Sequence, residues 1–277
     1  PVIYLVPEQM TFQSEMKLIR SKRLQGMIRL QIYSFSRLAW RVLQETGGIT
    51  RHLLNRTGIH MLLRKIVEHE KQQLRLFSTA ADTGGFIQQL EEMTEELRRY
   101  AVTPEMLRAR REELLARGTV QAQEVILADK LHDLSLILDR LQKHLEGKYL
   151  DGEDMLRLLA ERVSFSAELR GAEVYIDGFH SFTPQEMAVV RSLLATARRV
   201  TVTLTLDRVP EELPDPLALF YMTARTYRQL ERAAEETGCL MEEPVCLAGE
   251  RRFASPELAH IERVFEVYPS VPFDGTA

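Results

Sequence analysis

An aromatic and basic cluster offers the clearest chemistry in this sequence. Tyr33, Phe35, Arg37 and Trp40 lie within eight residues, and Trp40 is the only tryptophan. A helix that begins near Ser34 places Arg37 and Trp40 on one face, because residues three apart are neighbours on a helix. Aromatic planes stack on unpaired bases, and an arginine pairs with a phosphate or a base edge. The cluster therefore predicts contact with single-stranded nucleic acid; the alternative is that Phe35 and Trp40 are core residues and Arg37 is a surface charge.

The charge is distributed unevenly along the chain. Residues 1–65 contain eleven Lys and Arg against three Glu, which gives them a net charge of +8, whereas the remaining residues carry −12. A basic segment on an acidic protein favours a local site for a polyanion. The alternative is that these charges scatter over solvated faces.

Hydrolysis of a nucleoside triphosphate is a second chemistry to consider. A phosphate-binding loop requires Gly-Lys followed by Ser or Thr, but Gly147 and Lys148 are followed by Tyr149. Asp177 ends an apolar run, as does the acid that holds Mg²⁺ in P-loop NTPases. Its neighbour Gly178 has no side chain to act on the attacking water. The sequence therefore predicts a degenerate Walker B position at Asp177 and no catalytic residue; the alternative is that Asp177 is a turn residue.

Metal and membrane chemistry find no support in the sequence. The seven His and two Cys show no ligand spacing, so no metal site and no cofactor is expected within these residues. No apolar run is long enough to cross a bilayer, and the N-terminus lacks the features of a signal peptide. We therefore expect a cytoplasmic protein that does not interact with a membrane.

The elements that must position these residues begin with a short strand. Residues 2–6 form an apolar, β-rich run that is typical of a buried parallel strand. A short helix to Ser21, a second strand at 28–33 and a helix that ends at Gly47 follow. A domain rarely begins with a buried strand, so we expect that part of this domain precedes residue 1.

The middle of the chain has a different pattern. From about Leu53 to Val163 apolar residues recur at helical spacing, which predicts a purely helical block. Strands and helices then alternate: strands are predicted at 173–177, 200–206 and 241–247, and helices at 183–197, 217–237 and 256–265. This order predicts an α/β fold, with a parallel sheet into which an all-helical domain is inserted.

Several longer words of the sequence resemble the AddB family, which supplies the B subunit of AddAB-type ATP-dependent helicase/deoxyribonucleases. These words are LVPEQMTF from Leu5, YSFSRLAWR from Tyr33, KLHDLS from Lys130, YIDGF from Tyr175, FTPQE from Phe182 and SPELAH from Ser255. The likeness runs through nearly the whole chain and keeps the same order.

The resemblance implies a particular fold. It implies an incomplete RecA-like domain, similar to the P-loop NTPases and superfamily 1 helicases, in which the P-loop strand and helix lie upstream. Its first part would be residues 1–50, the inserted helical domain 51–164, and its second part 165–277, ending in a linker. In the full subunit the family uses ATP, Mg and a 4Fe-4S cluster, and its nuclease centre lies outside these residues.

The resemblance also implies a function. The family processes DNA ends at double-strand breaks as a heterodimer with an AddA-type helicase–nuclease subunit, and its decayed motor binds single-stranded DNA and takes part in recognising the Chi sequence. The matching residues here are Gln9, Thr11, Phe35, Arg37, Trp40 and Phe179.

After residues 200–206 an active relative would show a Gly-Asp motif that senses the phosphate, and this chain has Leu206-Asp207-Arg208 in its place. This segment alone is therefore not expected to be an enzyme. The alternatives are an active ATP-dependent motor in the full chain, or a scaffold that holds the AddA-type partner.

Overall fold

The computed structural model describes residues 1–21, 29–47, 52–81, 83–116, 122–247, 255–265 and 267–275. The described strands are β1 (Val2–Leu5), β2 (Leu30–Tyr33), β3 (His52–Leu53), β4 (Tyr149–Leu150), β5 (Glu173–Ile176) and β6 (Arg199–Val202). The described α-helices are α1 (Thr11–Arg20), α2 (Phe35–Thr46), α3 (Arg56–Glu70), α4 (Phe77–Ala80), α5 (Phe86–Arg99), α6 (Pro104–Leu115), α7 (Ala122–Leu145), α8 (Gly152–Arg162), α9 (Ala167–Arg170), α10 (Pro184–Thr196), α11 (Tyr221–Thr237) and α12 (Pro256–Val264). Short 3-10 turns lie at Glu8–Met10 and Val163–Phe165.

Four of the described strands form a parallel sheet in the order β2-β1-β5-β6. In register, Leu5 of β1 lies beside Tyr33 of β2 and beside Ile176 of β5. The sheet confirms the predicted α/β class with parallel strands. Since all four strands run the same way, the loops that follow them lie along one edge of the sheet.

Helix α2 covers one face of this sheet because its apolar residues recur on one side. Its buried face consists of Phe35, Leu38, Ala39, Val42 and Leu43. This face joins a core with Ile3 and Leu5 of β1 and Val174 and Ile176 of β5. Ser34 caps the helix, accepting a hydrogen bond from the backbone N–H of Arg37 at 3.3 Å. The predicted start of the helix near Ser34 is therefore confirmed.

The helices between α2 and β5 bury a second hydrophobic cluster. Most of its members come from α3, α4, α5, α6 and α7, and they include Leu63, Leu90, Leu107, Ile137 and Leu138. The prediction that this block is purely helical is wrong, because β3 and β4 pair in parallel within it. Two-residue strands carry no period-2 pattern that a sequence can reveal. The predicted boundary at residues 50 and 51 lies outside the described residues.

The chain divides into two compact units, residues 1–241 and 242–277. In the second unit, a ring nitrogen of His260 on α12 lies 2.8 Å from the carbonyl oxygen of Val271. The strand predicted at 241–247 is absent, since these residues have no regular secondary structure. Pro244 removes a backbone donor, and a strand requires a hydrogen-bonded partner. None of the described helices is long and apolar enough to cross a membrane.

Candidate nucleic-acid interface

The loops at the carboxyl edge of the sheet bring the predicted contact residues together. Gln9 and Thr11 follow β1, whereas Phe35, Arg37 and Trp40 follow β2. Phe179 and Asp177 follow β5, the strand on the other side of β1. These residues are far apart in the chain, and the sheet order alone makes their loops adjacent. The carboxyl edge of a parallel sheet is where ligands of open α/β proteins bind.

Arg37 and Trp40 lie on the solvent-facing side of α2. Trp40 is 40 % exposed, and Arg37 is exposed without an ion pair to any residue that the structure describes. The next arginine on this helix differs, because Nε of Arg41 lies 2.9 Å from the carboxylate of Glu168. Helix α2 therefore presents one exposed aromatic ring and one arginine without an ion pair among the described residues. Proteins that bind single-stranded nucleic acid use these two kinds of side chain.

Three phenylalanine rings form a cluster at the start of α2. The ring of Phe35 meets that of Phe179 edge-on at a centroid distance of 5.4 Å, and Phe179 stacks on Phe182 at 5.3 Å. Phe35 is only 5 % exposed and lies in the core, whereas Phe179 is half-buried. In this structure Phe35 supports the ring of Phe179, and of the predicted aromatic contacts Trp40 and Phe179 keep a surface that a base can reach.

The loop after β1 presents an exposed amide and an exposed ring. Gln9 is exposed within the 3-10 turn. The Thr11 side chain is buried, and its hydroxyl donates to the carbonyl oxygen of Glu8 at 3.0 Å. The next residue, Phe12, is 69 % exposed in the first turn of α1. Sequence reasoning gave Phe12 no role; its one signal was a bulky apolar residue beside the predicted contacts.

Asp177 is held by hydroxyl groups from both neighbouring strands. Oδ2 accepts a hydrogen bond from the hydroxyl of Tyr4 on β1, and Oδ1 accepts one from Thr203 directly after β6. Burial favours a higher pKa for Asp177, but the hydrogen bonds from Thr203 and Tyr4 and from the N–H of Gly178 outweigh it and lower the pKa. Both carboxylate oxygens therefore have protein donors.

Gly178 fills a position that few other residues can occupy. Its φ of +81° belongs to the left-handed region, which L side chains rarely adopt. A Cβ there would lie 3.2 Å from Sδ of Met10 and 3.2 Å from Cδ of Pro7. A carboxylate beside Asp177 would therefore meet both backbone strain and crowding.

Comparison with known proteins identifies the relatives of this chain. The family described as "ADDB, N-terminal" matches residues 1–262. The chain belongs to this AddB N-terminal family. It is 50 % identical over 275 residues, 99 % of its length, to the B subunit of the ATP-dependent helicase/deoxyribonuclease of Geobacillus thermodenitrificans. It is 47 % identical over 277 residues, its whole length, to the corresponding B subunit from Bacillus cereus strain ATCC 10987.

Membership of the AddB N-terminal family confirms the resemblance drawn from the sequence words. The chain spans about a quarter of the length of these curated relatives, 24 % in both cases. Those relatives are named as one subunit of an ATP-dependent helicase and deoxyribonuclease.

One of these AddB-like words has a structural explanation. The KLHDLS word contains Asp133, which is fully buried on α7. Its carboxylate accepts the backbone N–H groups of Arg75, Leu76 and Phe77 at 2.8–2.9 Å. Asp133 thus anchors the start of α4 to α7. Among the described residues no group of three or more His, Cys, Asp and Glu side chains that could hold a metal comes together.

Proposed function

We propose that this chain is the single-stranded DNA-reading segment of a bacterial helicase–nuclease subunit that processes double-strand breaks, and that it takes part in recognising Chi. The observation that carries the proposal is the carboxyl edge of the sheet, where the loops after β1, β2 and β5 present Gln9, Arg37, Trp40 and Phe179. The family relationship supports DNA as the ligand of this edge, because the relatives are named as subunits of a helicase/deoxyribonuclease.

The side chains at this edge can contribute both to the affinity for single-stranded DNA and to discrimination between bases. Trp40 and Phe179 offer planes on which bases stack, each worth about 1–3 kcal/mol. Arg37 has no competing carboxylate among the described residues, so its guanidinium is available for a phosphate or for the edge of a guanine. The amide of Gln9 suits the donor and acceptor pair of adenine. The net charge of +8 within residues 1–65 adds a sequence-independent attraction.

The same edge supports a role without ATP hydrolysis. In an active P-loop motor the acid at the end of the strand holds Mg²⁺, and a neighbouring carboxylate acts on water. Here Asp177 is hydrogen-bonded to Tyr4 and Thr203, and a side chain in place of Gly178 would meet backbone strain and crowding from Pro7 and Met10. We therefore propose a degenerate RecA-like domain, formed by residues 1–50 and 165–277, with the helices of residues 51–164 inserted.

Other activities belong to the whole subunit in this proposal. ATP, Mg, a 4Fe-4S cluster and the nuclease centre would lie outside this chain, and the subunit would form a cytoplasmic heterodimer with an AddA-type partner. If the subunit is instead a working motor, DNA-stimulated ATP turnover will persist when the partner's ATP site is disabled. If the subunit is not a motor, DNA-stimulated ATP turnover will disappear when the partner's ATP site is disabled.

A second candidate function is that the helical block holds the AddA-type partner. Three consecutive apolar residues of α7, Val125, Ile126 and Leu127, are between 43 and 55 % exposed. Consecutive exposed apolar residues are typical of an interaction surface. Ile126→Glu should then weaken the heterodimer while leaving DNA binding intact; a heterodimer of unchanged stability would remove this candidate.

The direct test of DNA reading is fluorescence anisotropy with a labelled single-stranded oligonucleotide, without divalent cations and across a salt series. Trp40→Ala should weaken binding about tenfold or more, because one stacking plane is lost. Arg37→Ala should also reduce the dependence of affinity on salt concentration.

Matched controls are available on the helical block. Tyr100 is an aromatic residue that is 57 % exposed, and Arg110 is an exposed arginine on α6, outside the basic segment of residues 1–65. Tyr100→Ala and Arg110→Ala should bind DNA like the unaltered protein. Equal losses in the control variants, or no loss in Trp40→Ala when circular dichroism shows it folded, would contradict the proposed interface.

A further inference from the structure

The carboxylate of Asp177 links three neighbouring strands of the sheet. It accepts one hydroxyl from Tyr4 on β1 and another from Thr203, the residue after β6. The backbone N–H of Asp177 itself donates to the carbonyl oxygen of Leu5 at 2.9 Å. We call the three side chains, Tyr4, Asp177 and Thr203, the hydroxyl clasp.

The protonation states of the hydroxyl clasp match its hydrogen bonds. Hydrogen bonds from Thr203 and Tyr4 lower the pKa of Asp177 against the effect of its burial, so the group is an ionised acceptor at neutral pH. Burial and the hydrogen bond to Asp177 raise the pKa of Tyr4, so its phenol remains a donor. Hydrogen bonds to an ionised acceptor are about twice as strong as neutral ones.

The hydroxyl clasp lies directly before the residues that shape the DNA-facing edge. Gly178 follows, and its backbone passes so close to Pro7 and Met10 that a Cβ would be 3.2 Å from each. Phe179 comes next, and its ring rests against Phe35 and Phe182. The loop after β5 is therefore fixed at its base by Asp177 and along its side by the loop after β1.

We propose that Asp177 is a positioning residue, which through the hydroxyl clasp holds the loop after β5 so that the ring of Phe179 is presented to a DNA base. The inference rests on the proposed function and deepens it, because it gives the acid at the strand end a task other than binding a metal. A carboxylate held by two hydroxyls fixes the loop without any ligand being present. Phe179 then needs no reordering when DNA binds, which lowers the entropic cost of binding.

The test uses a single-stranded oligonucleotide that contains 2-aminopurine, whose fluorescence falls when the base stacks on an aromatic ring. Tyr4→Phe and Thr203→Val each remove one hydroxyl and little volume. Each should reduce the quenching measured at saturating protein and weaken affinity by about tenfold, the loss expected when one base no longer stacks. The double variant should lose less than the product of the two single losses, because both changes release the same loop.

Two further variants separate positioning from general stability. Tyr175 lies beside Tyr4 in the register of the sheet and is 38 % exposed. Tyr175→Phe removes the ring hydroxyl of a tyrosine on the neighbouring strand, and it should change neither the quenching nor the affinity. Thr203→Ser keeps the hydroxyl and should retain both, even if Thr203→Val folds poorly.

The outcomes distinguish this inference from the function on which it rests. If the unaltered protein shows no salt-sensitive binding to single strands, the proposed function fails and the inference fails with it. If the unaltered protein binds, and folded Tyr4→Phe and Thr203→Val quench and bind equally well, only the positioning role of Asp177 is overturned. The same conclusion follows if Thr203→Ser loses as much quenching as Thr203→Val.

Discussion

The guanidinium of Arg98 pairs with the carboxylate of Asp151 where α5 meets the first turn of α8, and the two side chains are only 12 % and 9 % exposed. Removing one member of a buried ion pair leaves the other charge uncompensated, which costs about 3–5 kcal/mol. We therefore predict that Arg98→Leu lowers the free energy of unfolding by about that amount. Urea unfolding followed by circular dichroism measures the loss.

The matched control for Arg98 is an exposed ion pair of the same kind. Arg110 pairs with Glu113 on α6, and both side chains are more than half exposed. Arg110→Leu should cost less than about 1 kcal/mol, because solvent screens such pairs. Similar losses in Arg98→Leu and Arg110→Leu would mean that the Arg98 pair gains nothing from its burial.

Asp154, one turn from Asp151, should make stability depend on pH. Burial raises its pKa above the ordinary 3.8, and the nearby Asp151 carboxylate adds to this, while Arg98 opposes it. The folded state therefore binds this proton more tightly than the unfolded chain, and the ionised group lowers stability as pH rises through the raised pKa. Asp154→Asn removes the charge, so its stability relative to the unaltered protein should increase from a pH of about 4 to neutrality. Urea unfolding at several pH values checks this, and a trend in the opposite direction would contradict it.

Local signals in the sequence predicted local structure well. The helix predicted at 183–197 corresponds to α10, and Thr183 and Glu186 form a capping box at its start with both reciprocal hydrogen bonds present. The helix predicted from residue 217 instead begins at Tyr221, because the Asp215 carboxylate accepts the N–H of Leu217 at 2.8 Å and holds a turn there. A side chain that competes with the backbone in this way leaves no trace in hydrophobic periodicity.

The sequence predicted which residues follow the strands at the carboxyl edge of the sheet, but it did not predict the contacts between their side chains. The order of strands and helices placed Gln9, Arg37 and Phe179 after three strands of one parallel sheet. Tyr4 and Asp177 are 173 residues apart, and no spacing rule links a tyrosine in one strand to an acid at the end of another. The burial of Phe35 was also open, because an aromatic residue in the first turn of an amphipathic helix suits a core and a surface equally.

Asp133 provides a test of a structural role for the KLHDLS word. Its fully buried carboxylate accepts three backbone N–H groups at the start of α4. Asp133→Asn replaces one acceptor oxygen by a donor that faces N–H groups, and it should cost about 3 kcal/mol of unfolding free energy. Asp129→Asn, one turn earlier on α7, removes only a surface pair with Arg75 and should cost less than about 1 kcal/mol. Losses of equal size at the two positions would argue that Asp133 does not anchor α4.

Gly178 shapes the backbone at the carboxyl edge of the sheet. Because its φ is +81° and a Cβ would press on Pro7 and Met10, Gly178→Ala should lower the free energy of unfolding by about 1–3 kcal/mol. Gly171 precedes β5 with a φ of −110° and open space around it, so Gly171→Ala should be neutral or stabilise by up to about 1 kcal/mol. Thermal and urea unfolding of the two variants measure the difference. If Gly178→Ala is as stable as Gly171→Ala, the position beside Asp177 accepts a side chain, and the steric argument against a catalytic carboxylate there no longer holds.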